Sequence, residues 1–209
     1  MTLCLFAICL VCSALLAGVY ALTKEPIDAA KAAKNEAAIK DVLPETAVAI
    51  EEERIVEMDG QTYTYNLAYD QKGNTVGCAI NVSTLGFGGP IEIKVGFNVD
   101  PQTAQAVIWN TKVLSQAETP GLGAKCTEAA FADQFRQFDP QQKSLKVRKD
   151  GGDVDAITAS TITSRAYVNG LETAYKVFAT ILGTPMPLDG ASGATASEAQ
   201  VAQQGTSNE

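Results

Sequence analysis

From Leu3 to Leu22 the chain carries no charged side chain, and nearly every residue in that run is apolar or small. No other feature narrows the available folds as much. At a rise of about 1.5 Å per residue, about 20 helical residues cross a hydrocarbon core of about 30 Å. The run therefore reads as a single membrane anchor. Its rival is a cleaved signal peptide with Val19-Tyr20-Ala21 as the cleavage site, but the run exceeds the usual signal core and no basic residue precedes it. Cys4, Cys9 and Cys12 follow Leu3, Ile8 and Val11 rather than small residues, which argues against a lipid-modified cysteine. Charge does not set the orientation, because Lys24, Lys31 and Lys34 follow the span and nothing basic precedes it.

The whole chain has 209 residues, 46% of them hydrophobic, enough for one packed domain and an accessory segment. A net charge of −8 argues against a nucleic-acid partner, which would need clustered Lys and Arg. There is no histidine, which excludes His-based acid–base catalysis and His-ligated metals. The five cysteines suggest no framework, and neither a metal site nor a catalytic residue is expected. Cys78 and Cys126 could pair in an oxidising compartment; two buried, unpaired thiols are the simpler reading.

After the anchor, Pro26 sits where a helix can begin, and the Ala, Lys and Glu content from Asp28 to Leu43 favours helix as far as Pro44. With a mostly alanine apolar face, this is either a stalk or a surface helix of the following domain. Arg54 to Phe97 reads as sheet. Asp59-Gly60 is a hairpin dipeptide, and Tyr63, Tyr65, Leu67 and Tyr69 alternate with polar residues. Lys72-Gly73-Asn74 turns the chain into the apolar run Val76 to Val82, suited to a central strand. Gly86, Gly88 and Gly89 interrupt the pattern before Ile91, Ile93, Val95 and Phe97 resume it at period two. Such a loop is a sharp turn, or a backbone that approaches a ligand closely.

Ala106 to Leu114, with Trp109, predicts a further strand. Ala117 to Cys126 is a second glycine-rich loop that could line a planar ligand, with Lys125 answering an anionic group. Phe131, Phe135 and Phe138 predict an amphipathic helix from Thr127 to Phe138 with its aromatics in the core, and Leu145 and Val147 a short strand. From Asp155 to Arg165, DAITASTITSR places Thr158, Ser160, Thr161, Thr163 and Ser164 at the head of a helical stripe formed by Val168, Leu171, Tyr175, Phe178 and Leu182. Gly183 ends that helix, with Pro185 and Pro187 behind it. Hydroxyls at a helix start either cap it, through Thr161 or Thr163, or join the open N–H groups in holding an anion such as phosphate. Beyond Leu188 the tail offers almost nothing to bury and reads as disordered.

These residues carry a resemblance. Asp155-Ala156-Ile157-Thr158-Ala159-Ser160-Thr161 resembles the flavinylation motif Asp-x-x-Ser/Thr-Gly-Ala-Thr of covalent FMN-binding domains. The anchor followed by Thr23-Lys24-Glu25-Pro26-Ile27, the GFGGPIEIKVGF run and the loop Glu118-Thr119-Pro120-Gly121-Leu122-Gly123 come in the order found in the G subunit of the Rnf ion-translocating electron-transport complex. The match reaches Gly183 and departs from the motif at Ala159 for Gly and Ser160 for Ala, both small replacements. In the tail, Asp189-Gly190-Ala191-Ser192-Gly193-Ala194-Thr195 fits the consensus fully, but inside a low-complexity stretch where such matches come cheaply.

The resemblance implies an α+β fold: a single N-terminal transmembrane helix, then a mixed α/β FMN-binding domain with a twisted, mainly antiparallel sheet. Its divisions would be an anchor over 1–23, a helical stalk or linker over 24–49, the FMN-binding domain over 50–183 and a disordered tail over 184–209. A separate flavin transferase would esterify Thr161 to the FMN phosphate, with Thr195 as the alternative tether. Thr158, Ser160 and the backbone of Thr161, Ile162 and Thr163 would bind phosphate oxygens. Thr119, Gly121, Leu122 and Gly123 would face the ring, and Lys125 an anionic group. The chain would relay electrons in an ion-translocating ferredoxin:NAD oxidoreductase, with no turnover of its own. Its partners would be the other Rnf subunits and membrane lipid, with its domain on the periplasmic side of a bacterial inner membrane. The runner-up is the C subunit of the Na⁺-translocating NADH:quinone reductase. A non-redox membrane-anchored binding or scaffold protein is the reading from another class.

Overall fold

The computed structural model describes residues 2–101, 103 and 105–183. The tail with Thr195 lies outside the described residues. The chain divides after Ala37 into two units.

Helix α1 spans Thr2–Val42 with Pro26 inside it, so the chain does not start a second helix there. Proline removes one i→i−4 bond, but helix-forming Ala, Lys and Glu on one side and the apolar run on the other keep the ladder going. Just ahead of Pro26, the Thr23 hydroxyl donates to the Val19 carbonyl at 2.8 Å. Among the described residues α1 alone is long and apolar enough to cross a membrane, judged by length and composition. Cys9 and Cys12 on α1 stand at Cys-x-x-Cys spacing, and both are free and exposed.

The second unit opens with the last turn of α1. Ala38, Val42 and Leu43 are already buried, ahead of the boundary placed at residue 50 from sequence. A six-stranded antiparallel sheet follows: β1 (Ala49–Ile50), β2 (Arg54–Met58), β3 (Gln61–Tyr69), β4 (Thr75–Leu85), β5 (Pro90–Val99) and β6 (Ala106–Gln116). The order is β1-β3-β4-β5-β6, with β2 paired to the other part of β3. Asp59 (φ 53°) and Gly60 (φ 73°) are both left-handed, the conformation a two-residue hairpin loop needs to match the strands' twist.

Period two sorts the faces of β5. Ile91, Ile93, Val95, Phe97 and Val99 point to helix α3 (Thr161–Leu182), where Phe97 stacks on Phe178 with centroids 4.8 Å apart. Gly170 lets α3 settle against Thr84 and Ile93, where an added Cβ would lie 3.3 and 3.4 Å from their side chains. On the other face Gly96 lies under Val42, and a Cβ there would run into the Val42 backbone. Lys94, fully buried on this same face, has its pKa lowered by desolvation, partly opposed by the charge of Glu53.

Two local readings change. Thr127 to Phe138 is not one helix: a 3₁₀ turn (Gly123–Thr127), a single α turn α2 (Ala129–Ala132) and another 3₁₀ turn (Asp133–Phe135) succeed one another. The spacing of the phenylalanines reflects burial rather than helical continuity, since Phe131 and Phe135 both pack on the Tyr167 ring of α3, at 5.2 and 5.1 Å. Leu145 and Val147 form no strand either; Val147 makes an isolated bridge with Val154 as the loop closes on itself. Cys78 and Cys126 are buried and free, and burial pushes their thiols up to about 12 and about 11.

Candidate functional site

The head of α3 sorts the hydroxyl run. Ser160 is the N-cap residue but makes no side-chain capping bond, so the first-turn N–H groups are open to an outside acceptor. Neither Thr161 nor Thr163 caps the helix. Ser164 is turned inward, where its Oγ accepts from the Ile157 N–H and donates to the Ser160 carbonyl, both at 2.9 Å. The Thr163 hydroxyl is buried and donates to Glu118 Oε2 at 2.8 Å. Thr161, the first helical residue, is only half-buried, and the Lys149 ammonium lies 3.4 Å from its Oγ1. Thr158 is exposed beside it.

Ala159 has φ 61°, a left-handed conformation that glycine adopts freely and alanine at a cost. It occupies the position where the motif calls for glycine. The backbone there takes a conformation open to glycine, in spite of the methyl group.

Glu118 joins three segments. It is 6% exposed, and its Oε1 accepts from the Gly88 N–H at 3.1 Å while Oε2 takes the Thr163 hydroxyl. A Cβ at Gly123 would meet the Glu118 carboxylate and the Thr163 hydroxyl, and one at Gly86 would meet the same carboxylate. The glycines of both loops thus serve a buried carboxylate, which in turn fixes both loops against the start of α3.

Between these segments lies a cavity of about 330 Å³, lined by Phe87, Glu118, Thr119, Leu122, Gly123, Ala159, Ser160, Thr161, Ile162 and Thr163. Its rim carries two apolar side chains left open, Phe87 at 68% and Leu122 at 44% exposure. One part of the cavity is apolar; the other offers the Thr161 hydroxyl and the open helix terminus. Such a division fits an amphipathic planar group that ends in a phosphate.

Seven of the residues singled out from sequence line this cavity: Thr119, Leu122, Gly123, Ser160, Thr161, Ile162 and Thr163. Thr158, Gly121 and Lys125 are not among the lining residues, and Lys125 is exposed. Sequence reasoning missed Phe87, Glu118 and Lys149. Glu118 stands out in the sequence only as the first residue of a loop motif, and nothing local marks Lys149 within the charged run Lys146 to Asp150.

Residues 86–176 match the FMN-binding domain family, and residues 1–42 match the RnfG N-terminal region. The G subunit of the ion-translocating oxidoreductase complex of Methanosarcina acetivorans is 32% identical over 166 residues, covering 78% of this chain and 85% of that one. The G subunit of the Haemophilus influenzae complex is 31% identical over 173 residues, covering 78% and 81%. The G subunit of the proton-translocating ferredoxin:NAD⁺ oxidoreductase complex of Clostridium ljungdahlii is 33% identical over 117 residues, covering 54% and 60%. A solved structure, that of the C subunit of the Na⁺-translocating NADH-quinone reductase from Parabacteroides distasonis, is similar at 21% identity and a TM-score of 0.48, over 66% of this chain and 80% of that one. The stretch that matches the FMN-binding domain family holds β5, β6 and most of α3. The chain belongs to the family of G subunits of ion-translocating oxidoreductase complexes.

Proposed function

We propose that this chain is a membrane-anchored flavoprotein subunit of an Rnf-type complex, carrying electrons through FMN attached by its phosphate to Thr161. The supporting observation is the position of the Thr161 hydroxyl, at the uncapped start of α3, on the cavity wall and beside the Lys149 ammonium. Bound there, FMN supplies one- or two-electron transfer, and the protein's part is to place the ring and set its surroundings. Ser160 and the N–H groups of Thr161, Ile162 and Thr163, all on the cavity wall, would hold phosphate oxygens, and Thr158, exposed and off the wall, would join them from the solvent side. Leu122 and Phe87 on the rim, with Thr119 and Gly123 on the wall, would shield the apolar part of the flavin, while Gly121 lies in the same loop off the wall. Glu118 keeps this wall in register with α3.

The chain turns over no substrate of its own. It passes electrons between other subunits of a complex that oxidises ferredoxin, reduces NAD and moves Na⁺ or H⁺. A separate flavin transferase loads it, α1 lies in lipid, and the domain stands on the extracytoplasmic side, where a covalent tether prevents loss of FMN. Mass mapping of the native protein tests the tether. Trypsin releases Asp150 to Arg165 and Val177 to Glu209 as separate peptides, and fragmentation should place one added FMN on Thr161. FMN found only on the peptide containing Thr195, or on neither, would overturn the assignment.

A further inference from the structure

Three consecutive residues, Arg148-Lys149-Asp150, grip the Asp155–Arg165 stretch at three points. Arg148 Nε pairs with Asp155 Oδ1 at 3.0 Å, at the first residue of the motif. Lys149 Nζ lies 3.4 Å from Thr161 Oγ1, at its last. Asp150 takes Arg165 with both oxygens, at 2.9 and 2.7 Å, one helical turn further on. This last pair is the anchor. Its two side chains are only 23% and 16% exposed, and a two-pronged guanidinium–carboxylate contact fixes orientation as well as distance.

The backbone around Lys149 is equally determined. Gly151 ends the 3₁₀ turn Arg148–Asp150 in a left-handed conformation, φ 84°. The Gly152 N–H returns to the Val147 carbonyl at 3.2 Å, and a Cβ at Gly152 would strike the Lys146 backbone. Lys149 is thus carried on a closed turn clamped to α3, and its exposed side chain brings the ammonium to 3.4 Å from the hydroxyl of the first helical residue. Arg148 and Asp150 each meet a group of opposite charge. Among the described residues Lys149 meets only an uncharged hydroxyl, the one expected to become a phosphate ester.

We propose that Lys149 is the cation that neutralises the flavin phosphate as it is joined to Thr161 and steadies the ester afterwards. This rests on the tether reading given above. In the step, Thr161 Oγ attacks the phosphorus of an FMN phosphoanhydride held by the transferase. The Oγ–P bond forms, the anhydride P–O bond breaks, and its electron pair leaves on the departing phosphate. The hydroxyl proton passes to solvent; an ammonium has donors and no acceptor, so Lys149 does not take it. Its contribution is a charge-assisted contact to an oxygen whose negative charge grows as the phosphoryl group transfers. Lys149 and Lys125 are both exposed and neither lines the cavity; what distinguishes Lys149 is its 3.4 Å approach to Thr161 Oγ1.

The test uses the full chain in detergent, its purified flavin transferase, and flavin adenine dinucleotide as the FMN phosphoanhydride. Initial rates of covalent labelling are read by in-gel flavin fluorescence at increasing chain concentration. Lys149→Met and Lys149→Gln both keep a side chain of similar reach and remove the charge. Each should lower kcat at least about tenfold, as expected for losing a charged hydrogen bond, with KM for the chain unchanged. Lys149→Arg should recover the rate to within about threefold, and Lys125→Met should label like the wild type. Wild-type rates in both neutral variants, failure of arginine to rescue, or a rise in KM alone would each overturn the proposal, the last by making Lys149 a docking contact for the transferase. A dark wild-type chain, or a fluorescent Thr161→Ala, would instead sink the tether reading itself.

Discussion

Glu118 gives the sharpest test of how the site is held. Its carboxylate receives the Thr163 hydroxyl at 2.8 Å and the Gly88 N–H at 3.1 Å while being only 6% exposed. In Glu118→Ala both donors lose their acceptor at once. Each buried, unsatisfied donor costs about 1–3 kcal/mol, offset in part by relief of a buried charge and by water entering the vacated space. The expected loss is about 2–4 kcal/mol. Glu118→Gln behaves differently because a threonine hydroxyl can accept as well as donate. The amide oxygen can keep the Gly88 N–H while the amide nitrogen donates to Thr163 Oγ1, so the cost should be near 1 kcal/mol. Urea unfolding of the full chain in detergent, followed through the single tryptophan, Trp109, measures both variants against wild type. Equal destabilisation by Ala and Gln would refute the hydrogen-bond argument in favour of charge. An alanine variant within about 0.5 kcal/mol of wild type would refute the idea that Glu118 fastens the loops at all.

Ala159→Gly should stabilise the domain by about 0.5–1 kcal/mol, because relief of the left-handed φ of 61° outweighs the added freedom of the unfolded chain. A melting temperature higher by about 2–4 °C is the expected readout, and a lower one contradicts it. The two buried thiols carry a pH dependence with a definite sign. Their folded pKa values, about 12 for Cys78 and about 11 for Cys126, lie above the ordinary 9.0, so their stabilising contribution is full below about pH 9 and is lost as pH rises towards 11 and 12. Unfolding free energy measured from pH 8 to 11 should fall in wild type and fall less in Cys78→Ala, after correction for the variant's own destabilisation. Alkylation at pH 8 should reach these thiols only on unfolding.

Much of the fold is legible in local pattern because its causes are local. An uncharged run of apolar residues has to close its own backbone hydrogen bonds, which makes α1 a helix. Period two in β5 separates Ile91, Ile93, Val95 and Phe97 from Lys94 and Gly96, and the stripe from Val168 to Leu182 makes α3. The spacing of Phe131, Phe135 and Phe138 misleads, since tertiary packing on Tyr167 gathers the rings without needing a continuous helix. Pro26 misleads in the other direction: flanking residues with strong helix propensity outweigh one missing N–H bond.

The long apolar helix, the alternating strands and the placing of a hydroxyl run at a helix start are determined by the sequence alone, since periodicity and composition act between neighbours in the chain. What each hydroxyl does is decided by the tertiary structure. Thr163 is committed to a carboxylate 45 residues away, Ser164 to its own turn, and Thr161 is left facing the cavity with a lysine 12 residues upstream. The same holds for the choice of Lys149 over Lys125 at the Thr161 hydroxyl. Both lie in charged or loop segments without periodicity, and only the Arg165–Asp150 clamp, formed once α3 is packed on the sheet, brings one of them to the site.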